Sequence, residues 1–261
     1  MKGRLFLAAI VALFFTASYF MQSSHNPVTG EKQRVALSPD QEIALGLQSA
    51  PQMAAKFGGF TRNERASQTV KAIGERLVAR SVAARAPYRF SFHVLADPST
   101  VNAFALPGGP IFITEGLLRL LRTEGEVAAV LGHEIGHVVA RHGAEHLAQQ
   151  QFMQGLIGAV AVGSGDYNTA QLAQMVGSLI NMKYGRDDEI ESDALGVRIM
   201  AEAGYDPRAM LRVMEVLAKA SAGARQPEIL ASHPNPDNRA ERIQAEIAKR
   251  YPGGVQDGLA R

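Results

Sequence analysis

A chain of 261 residues with 46% hydrophobic and 20% charged side chains can bury a sizeable core, as one large domain or two small ones. A net charge of only +2, with no basic stripe or RNA-binding motif, argues against a nucleic-acid partner. The absence of cysteine excludes disulfides, thiolate metal sites and a lipid-bearing N-terminal cysteine, and it is compatible with an oxidising compartment.

Lys2 and Arg4 precede residues 5–15, a run without charged or strongly polar side chains, and Thr16-Ala17-Ser18 follow. That is the layout of a secretory signal: a basic start, an apolar middle and small residues near a cleavage point. The apolar stretch, about 17 residues long, sits at the lower limit for crossing a bilayer. Residues 1–21 therefore read as a signal peptide or as an uncleaved anchor in the inner membrane. Both readings export the rest of the chain to the periplasm.

Residues 22–37 are polar, contain Pro27 and Gly30, and read as a linker. Ser38-Pro39 with Gln41 then forms a capping box that starts a helix over 39–57, ended by Gly58-Gly59. A second amphipathic helix is expected over 62–85, with Val70, Ile73, Leu77 and Val78 on its inner side. Tyr88, Phe90, Phe92 and Val94 alternate with polar residues as in a half-buried strand. Two further short strands follow at 101–106 and 111–113, separated by Pro107-Gly108-Gly109-Pro110, and Thr114 caps a short helix over 115–121.

The pentad His133-Glu134-Ile135-Gly136-His137 organises the chain. Two histidines four apart share one face of a helix, so both imidazoles reach one zinc ion while Glu134 points beside it at water. Thr123 and Glu126 form a capping box for this helix. Val127, Val130, Leu131, Ile135, Val138 and Val139 make most of its surface apolar, so it is expected to be buried. Polar groups buried together need partners, and a metal supplies them. His142 and His146 fall off the His133/His137 face, and together with His25 and His93 they read as solvent or packing residues.

Residues 152–182 are apolar and glycine-rich, with Asp166 as the only charge. Each half is too short to span a bilayer. The stretch reads as a helical hairpin on the domain or as a mobile flap over the site or on a membrane surface. Helices are then expected over 186–203 and 208–222, and a last one over 237–250 after the loop Ser232-His233-Pro234-Asn235-Pro236. Residues 252–261 read as a flexible tail.

A catalytic zinc normally takes three protein ligands. The third is expected in Asp187-Asp188-Glu189-Ile190-Glu191-Ser192-Asp193, the dense acidic cluster downstream. Glu189 and Asp193 share a helical face, so Glu189 is assigned as the ligand and Asp193 as a carboxylate orienting a histidine. Glu191 stays as the alternative ligand.

The HEIGH pentad, Glu189-x-x-x-Asp193 downstream, and Asn102-Ala103-Phe104 with Pro107-Gly108-Gly109 upstream together resemble the CAAX-prenyl-type zinc endopeptidases, chiefly their soluble bacterial periplasmic members. The resemblance covers roughly residues 39–250. It implies an α+β fold, mainly helical and zincin-like (gluzincin), with a small antiparallel sheet packed on the zinc helix. It also implies one zinc ion and quality control of unfolded or misassembled envelope proteins. The several transmembrane helices of prenyl-protein-processing members are missing, which speaks against prenylated substrates. In such relatives a histidine before the last helix approaches the metal. His233 matches it and is expected to act as an occasional fourth ligand that silences the enzyme, or as an oxyanion stabiliser when it swings away. Arg239 would hold that loop or the oxyanion.

The parts imply zinc-assisted peptide hydrolysis. Glu134 acts as general base and then acid, and residues 102–106 pair with an extended substrate by strand addition. Alternatives are an envelope chaperone that uses the groove for binding, which would not need Glu134, and a zinc esterase or amidase acting on cell-wall material.

Overall fold

The computed structural model describes residues 2–164, 183–222, 227–234, 238–256 and 258–260. Helix α1 (Lys2–Met21) is apolar, and none of its residues is buried. The stretch read as a linker is structured. Strands β1 (Ser24–His25) and β2 (Lys32–Gln33) form an antiparallel hairpin. From it, Asn26 donates to the Val139 carbonyl at 2.7 Å and the Gln33 amide donates to the Ala140 carbonyl. These carbonyls lie at the end of the site helix, where the helix itself has no donors for them. The hairpin is thus a cap on that helix.

Helix α2 (Pro39–Lys56) starts with the expected Ser38/Gln41 capping box. Helix α3 (Glu64–Ala79) buries Val70, Ile73 and Leu77, and a 3-10 turn at Val82–Arg85 follows as a separate element. Strands β3 (Ser91–Leu95), β4 (Ala103–Ala105) and β5 (Pro110–Thr114) form one sheet in the order β3-β5-β4. The sheet is mixed rather than wholly antiparallel: β4 runs antiparallel to β5, and β3 runs parallel to it. The turn at Pro107-Gly108-Gly109 folds β5 back against β4, while β3 pairs with β5 and not with its neighbour in sequence. β5 is consequently central and buried along its whole length, which is why its residues are apolar without alternation. β4 is left at the sheet edge.

A short helix α4 (Glu115–Leu118), capped by Thr114, leads to α5 (Glu124–Val139), which begins at the Thr123 cap and is buried along almost all its length. Leu131 and Ile135 of α5 meet Leu77, Ile111, Ile113, Ile199 and Met200 in the main core. Helices α6 (His142–Ser164), α7 (Arg186–Glu202), α8 (Ala209–Ser221), α9 (Ile229–Ser232) and α10 (Arg239–Arg250) complete the described elements. α5 and α7 approach backbone to backbone: a Cβ on Gly136 would stand 2.8 Å from the Ser192 carbonyl oxygen. Only glycine fits there, and this contact brings the pentad against Glu189 and Asp193.

Of the hairpin expected over 152–182, the first half continues α6, and residues 165–182 lie outside the described residues. α6 packs on α1, where Tyr19 stacks on Phe152 at 4.7 Å. The tail is pinned near its end: Ala260 donates to the Gly204 carbonyl and accepts from the Asp206 amide, at 3.1 and 3.0 Å.

Candidate metal and active site

His133 and His137 lie one turn apart on α5, and their Nε2 atoms are 3.0 Å from each other. Glu189, in the first turns of α7, faces both. Its Oε2 is 3.5 Å from His133 Nε2 and its Oε1 is 3.3 Å from His137 Nε2. His233, at the end of α9, points Nδ1 at Glu189 Oε1 (2.9 Å) and stands 3.4 Å from His133 Nε2. These four donors are all buried and lie within 4.8 Å of one another.

The spacing can be tested against a metal. Donors about 2.0–2.1 Å from a tetrahedral centre stand about 3.3 Å apart, which matches the separations here. His233 Nε2 is buried without a hydrogen-bond partner among the described residues, and Glu189 Oε2 has there only its ion-pair contacts with Arg239 and His133. Burial holds His137 well below its ordinary pKa, so its imidazole is neutral, as a ligand must be. Burial would raise Glu189, but His133, His137 and His233 around it outweigh it and keep the carboxyl well below the usual range. The donor set fits a tetrahedral cation of zinc's size.

Glu134 is fully buried beside the cluster, and among the described residues neither carboxylate oxygen has a hydrogen-bond partner. Burial raises its pKa against the pull of His233 and His133. Its nearest cationic group is His233, whose Nε2 is 3.7 Å away. A poised, unpartnered carboxyl is what a general base needs.

Behind the cluster, Asp193 accepts from His133 Nδ1 at 2.9 Å. Arg239, at the start of α10, donates to both Asp193 oxygens at 2.6 and 2.8 Å and reaches Glu189 Oε2 at 3.0 Å. Burial works against the ionised Asp193, and the Arg239 guanidinium overcomes it and lowers the pKa. Arg239 therefore braces two carboxylates rather than lying on the surface.

The site opens into a cleft of about 210 Å³ between β4, α2 and α9. Asn102, Phe104 and Ala105 line it, together with His137, Tyr184 and His233. Asn102 Oδ1 is buried there without a donor among the described residues. Phe104 stacks on Phe112 and leaves one face to the cleft. Ala103 is different, because its side chain is fully buried in the core and only its backbone can serve a ligand.

His25 is exposed and His93 packs on Phe112, as expected. His146 pairs with Asp188 at 2.7 Å. His142 departs from the expectation: it is buried, and its Nδ1 lies 2.9 Å from His137 Nδ1. The helix does not run on to His142. It ends at Val139, Arg141 takes the left-handed conformation (φ 62°), and α6 starts with His142 turned back toward the pentad. The left-handed position is taken by an arginine rather than a glycine, so the local pattern does not announce it. Tyr184, which stacks on His137 at 3.9 Å, was likewise without a signal. Glu191, the alternative ligand, faces His142 instead, at 3.2 Å.

Residues 64–247 match peptidase family M48. Among curated proteins, the beta-barrel assembly-enhancing protease of Yersinia pestis is 32% identical over 239 residues, 87% of this chain and 48% of that protein. Its counterpart from Escherichia coli (strain K12) is 30% identical over 261 residues, 96% and 53% of the two chains. The mitochondrial metalloendopeptidase OMA1 of Schizosaccharomyces pombe is 28% identical over 229 residues, 87% and 67%. The chain thus spans about half the length of the two bacterial relatives.

Proposed function

From the premise that this chain belongs to peptidase family M48, we propose that it is a zinc-dependent endopeptidase of the bacterial cell envelope, hydrolysing unfolded or misassembled envelope proteins. The observation that carries the reading is Glu134: a fully buried carboxylate without a hydrogen-bond partner among the described residues, set beside four converging donors. A purely structural metal site has no use for it.

His133, His137 and Glu189 would hold the metal. When bound, zinc supplies Lewis acidity, polarising a carbonyl oxygen and acidifying water. Glu134 takes the proton from the attacking water and passes it to the leaving amine. Asp193 keeps the His133 proton on Nδ1, and Arg239 keeps Asp193 ionised and holds Glu189 in place. The open edge of β4 at 103–105, with Asn102 beside it, aligns an extended substrate through main-chain hydrogen bonds. Such pairing reads backbone rather than side chains, so the preference is for unfolded segments.

His233 occupies the fourth donor position in this arrangement. It silences the enzyme there and serves as an oxyanion donor when it swings out. The N-terminal segment directs export to the periplasm. A helix of 20 residues spans about 30 Å, enough for a bilayer core, and the Tyr19–Phe152 stack favours its retention as an inner-membrane anchor.

The test uses the full chain in detergent, zinc-loaded, with casein and unfolded outer-membrane protein as substrates, beside Glu134→Gln and His233→Ala. Cleavage by the wild type, lost in Glu134→Gln and faster in His233→Ala, is expected. Binding of unfolded protein without cleavage by any version overturns the protease reading in favour of a chaperone.

A further inference from the structure

His137 presents Nε2 to the cluster, so the proton of its neutral ring belongs on Nδ1. Among the described residues that proton has one acceptor at hydrogen-bond distance, His142 Nδ1 at 2.9 Å. If His142 accepts on Nδ1, its own proton sits on Nε2, where Glu191 Oε2 lies 3.2 Å away. The direction of each bond follows from the one before it. We propose that His142 is the positioning residue for His137 and that Glu191 fixes the tautomer of His142, so that a His137–His142–Glu191 chain holds the second histidine as Asp193 holds the first.

The two arrangements differ in character. His133 donates directly to a buried carboxylate already neutralised by Arg239. His137 donates to a neutral ring, and the charge stands one residue further out on Glu191, whose side chain is 30% exposed. Two features keep the chain in register. The left-handed Arg141 turns His142 back under His137, and Arg141 is itself tied to Glu42 and, at 2.9 Å, to the Leu37 carbonyl. The Ser192 hydroxyl lies 3.4 Å from His142 Nδ1 on the far helix.

This rests on the reading of His137 as a metal ligand through Nε2. Partners of this kind alter metal affinity by about 10–100-fold when removed. The measurement is the zinc dissociation constant of the full chain, by competition with a chelating dye, for the wild type, His142→Phe, His142→Asn and Glu191→Ala. His142→Phe removes the acceptor and should weaken zinc binding by about 10–100-fold. His142→Asn places an amide oxygen near the position of Nδ1 and should restore most of it, which a merely space-filling role would not. Glu191→Ala should lie between, and it stands if His142→Phe does not fold. Zinc bound equally well by wild type and Glu191→Ala, and by His142→Phe where it folds, overturns the inference. A wild type that binds no zinc overturns instead the metal reading beneath it.

Discussion

Arg239 Nη1 stands 3.0 Å from Glu189 Oε2, while its Nε and Nη2 clasp Asp193 from the same side. One guanidinium thus holds the carboxylate in the metal cluster and the carboxylate behind His133. Removing one partner from a buried ion pair destabilises by about 3–5 kcal/mol, because the other charge is left uncompensated. Arg239→Ala is expected to lose stability on that scale in urea denaturation. Arg239→Lys should recover only part, since an ammonium cannot offer the forked geometry. A loss under about 0.5 kcal/mol, as at ordinary surface sites, would mean the brace is not structural.

Metal removal is the second test. Four buried donors without a cation leave polar atoms unsatisfied, so a chelator should lower the unfolding temperature and zinc should restore it. At free zinc one hundred times its dissociation constant the gain is about 2.7 kcal/mol. His137→Ala should show little response to either addition. An equal zinc response in His137→Ala would move the metal elsewhere.

Gly136 lies where α5 meets the backbone of α7, and an added Cβ would come within 2.8 Å of the Ser192 carbonyl oxygen. The contact is with main chain, which cannot swivel away. Gly136→Ala is expected to cost about 1–3 kcal/mol, as overpacking does, and to weaken zinc binding by parting the pentad from Glu189. Calorimetry together with zinc titration checks both halves. A variant as stable and as tight as the wild type would show that the helices can separate freely.

Asp97 closes the turn between β3 and β4. Its carboxylate accepts from the hydroxyls of Thr100 and Ser99 at 2.5 and 2.7 Å and from their amides, and these bonds hold its pKa well below the ordinary range. A pKa lowered by folding means stability present above the unfolded value, near 3.9, and lost as pH falls below it. The stability difference between wild type and Asp97→Ala should therefore be full above about pH 5 and shrink toward pH 3. A difference independent of pH across that window would assign the turn to its backbone alone.

Much of the site was legible along the chain because its chemistry repeats with helical period. His133, Glu134 and His137 needed only the four-residue spacing, and Glu189 with Asp193 needed the same rule on a second helix. The capping box at Ser38 and the N-cap at Thr123 announced their helices for similar local reasons, although the Glu126 side chain accepts from the Arg122 amide rather than closing a box with Thr123. Such features depend on neighbours within a turn or two, and those neighbours are written side by side.

Tertiary structure decided what depends on residues far apart. The parallel pairing of β3 with β5 follows from where β4 is folded, not from any property of the strands themselves. The polar stretch after α1 is structured because the carbonyls at the end of α5 need donors, and Asn26 and Gln33 supply them across more than a hundred residues. His142 reaches His137 only through a left-handed Arg141 that carries no glycine signature, held from α2 by Glu42. The sequence by itself determined which side chains could bind a metal and activate water. The packing of α7 against α5 on one side and α10 on the other decided which other side chains would hold them still, because a hydrogen bond partner is chosen by proximity in space.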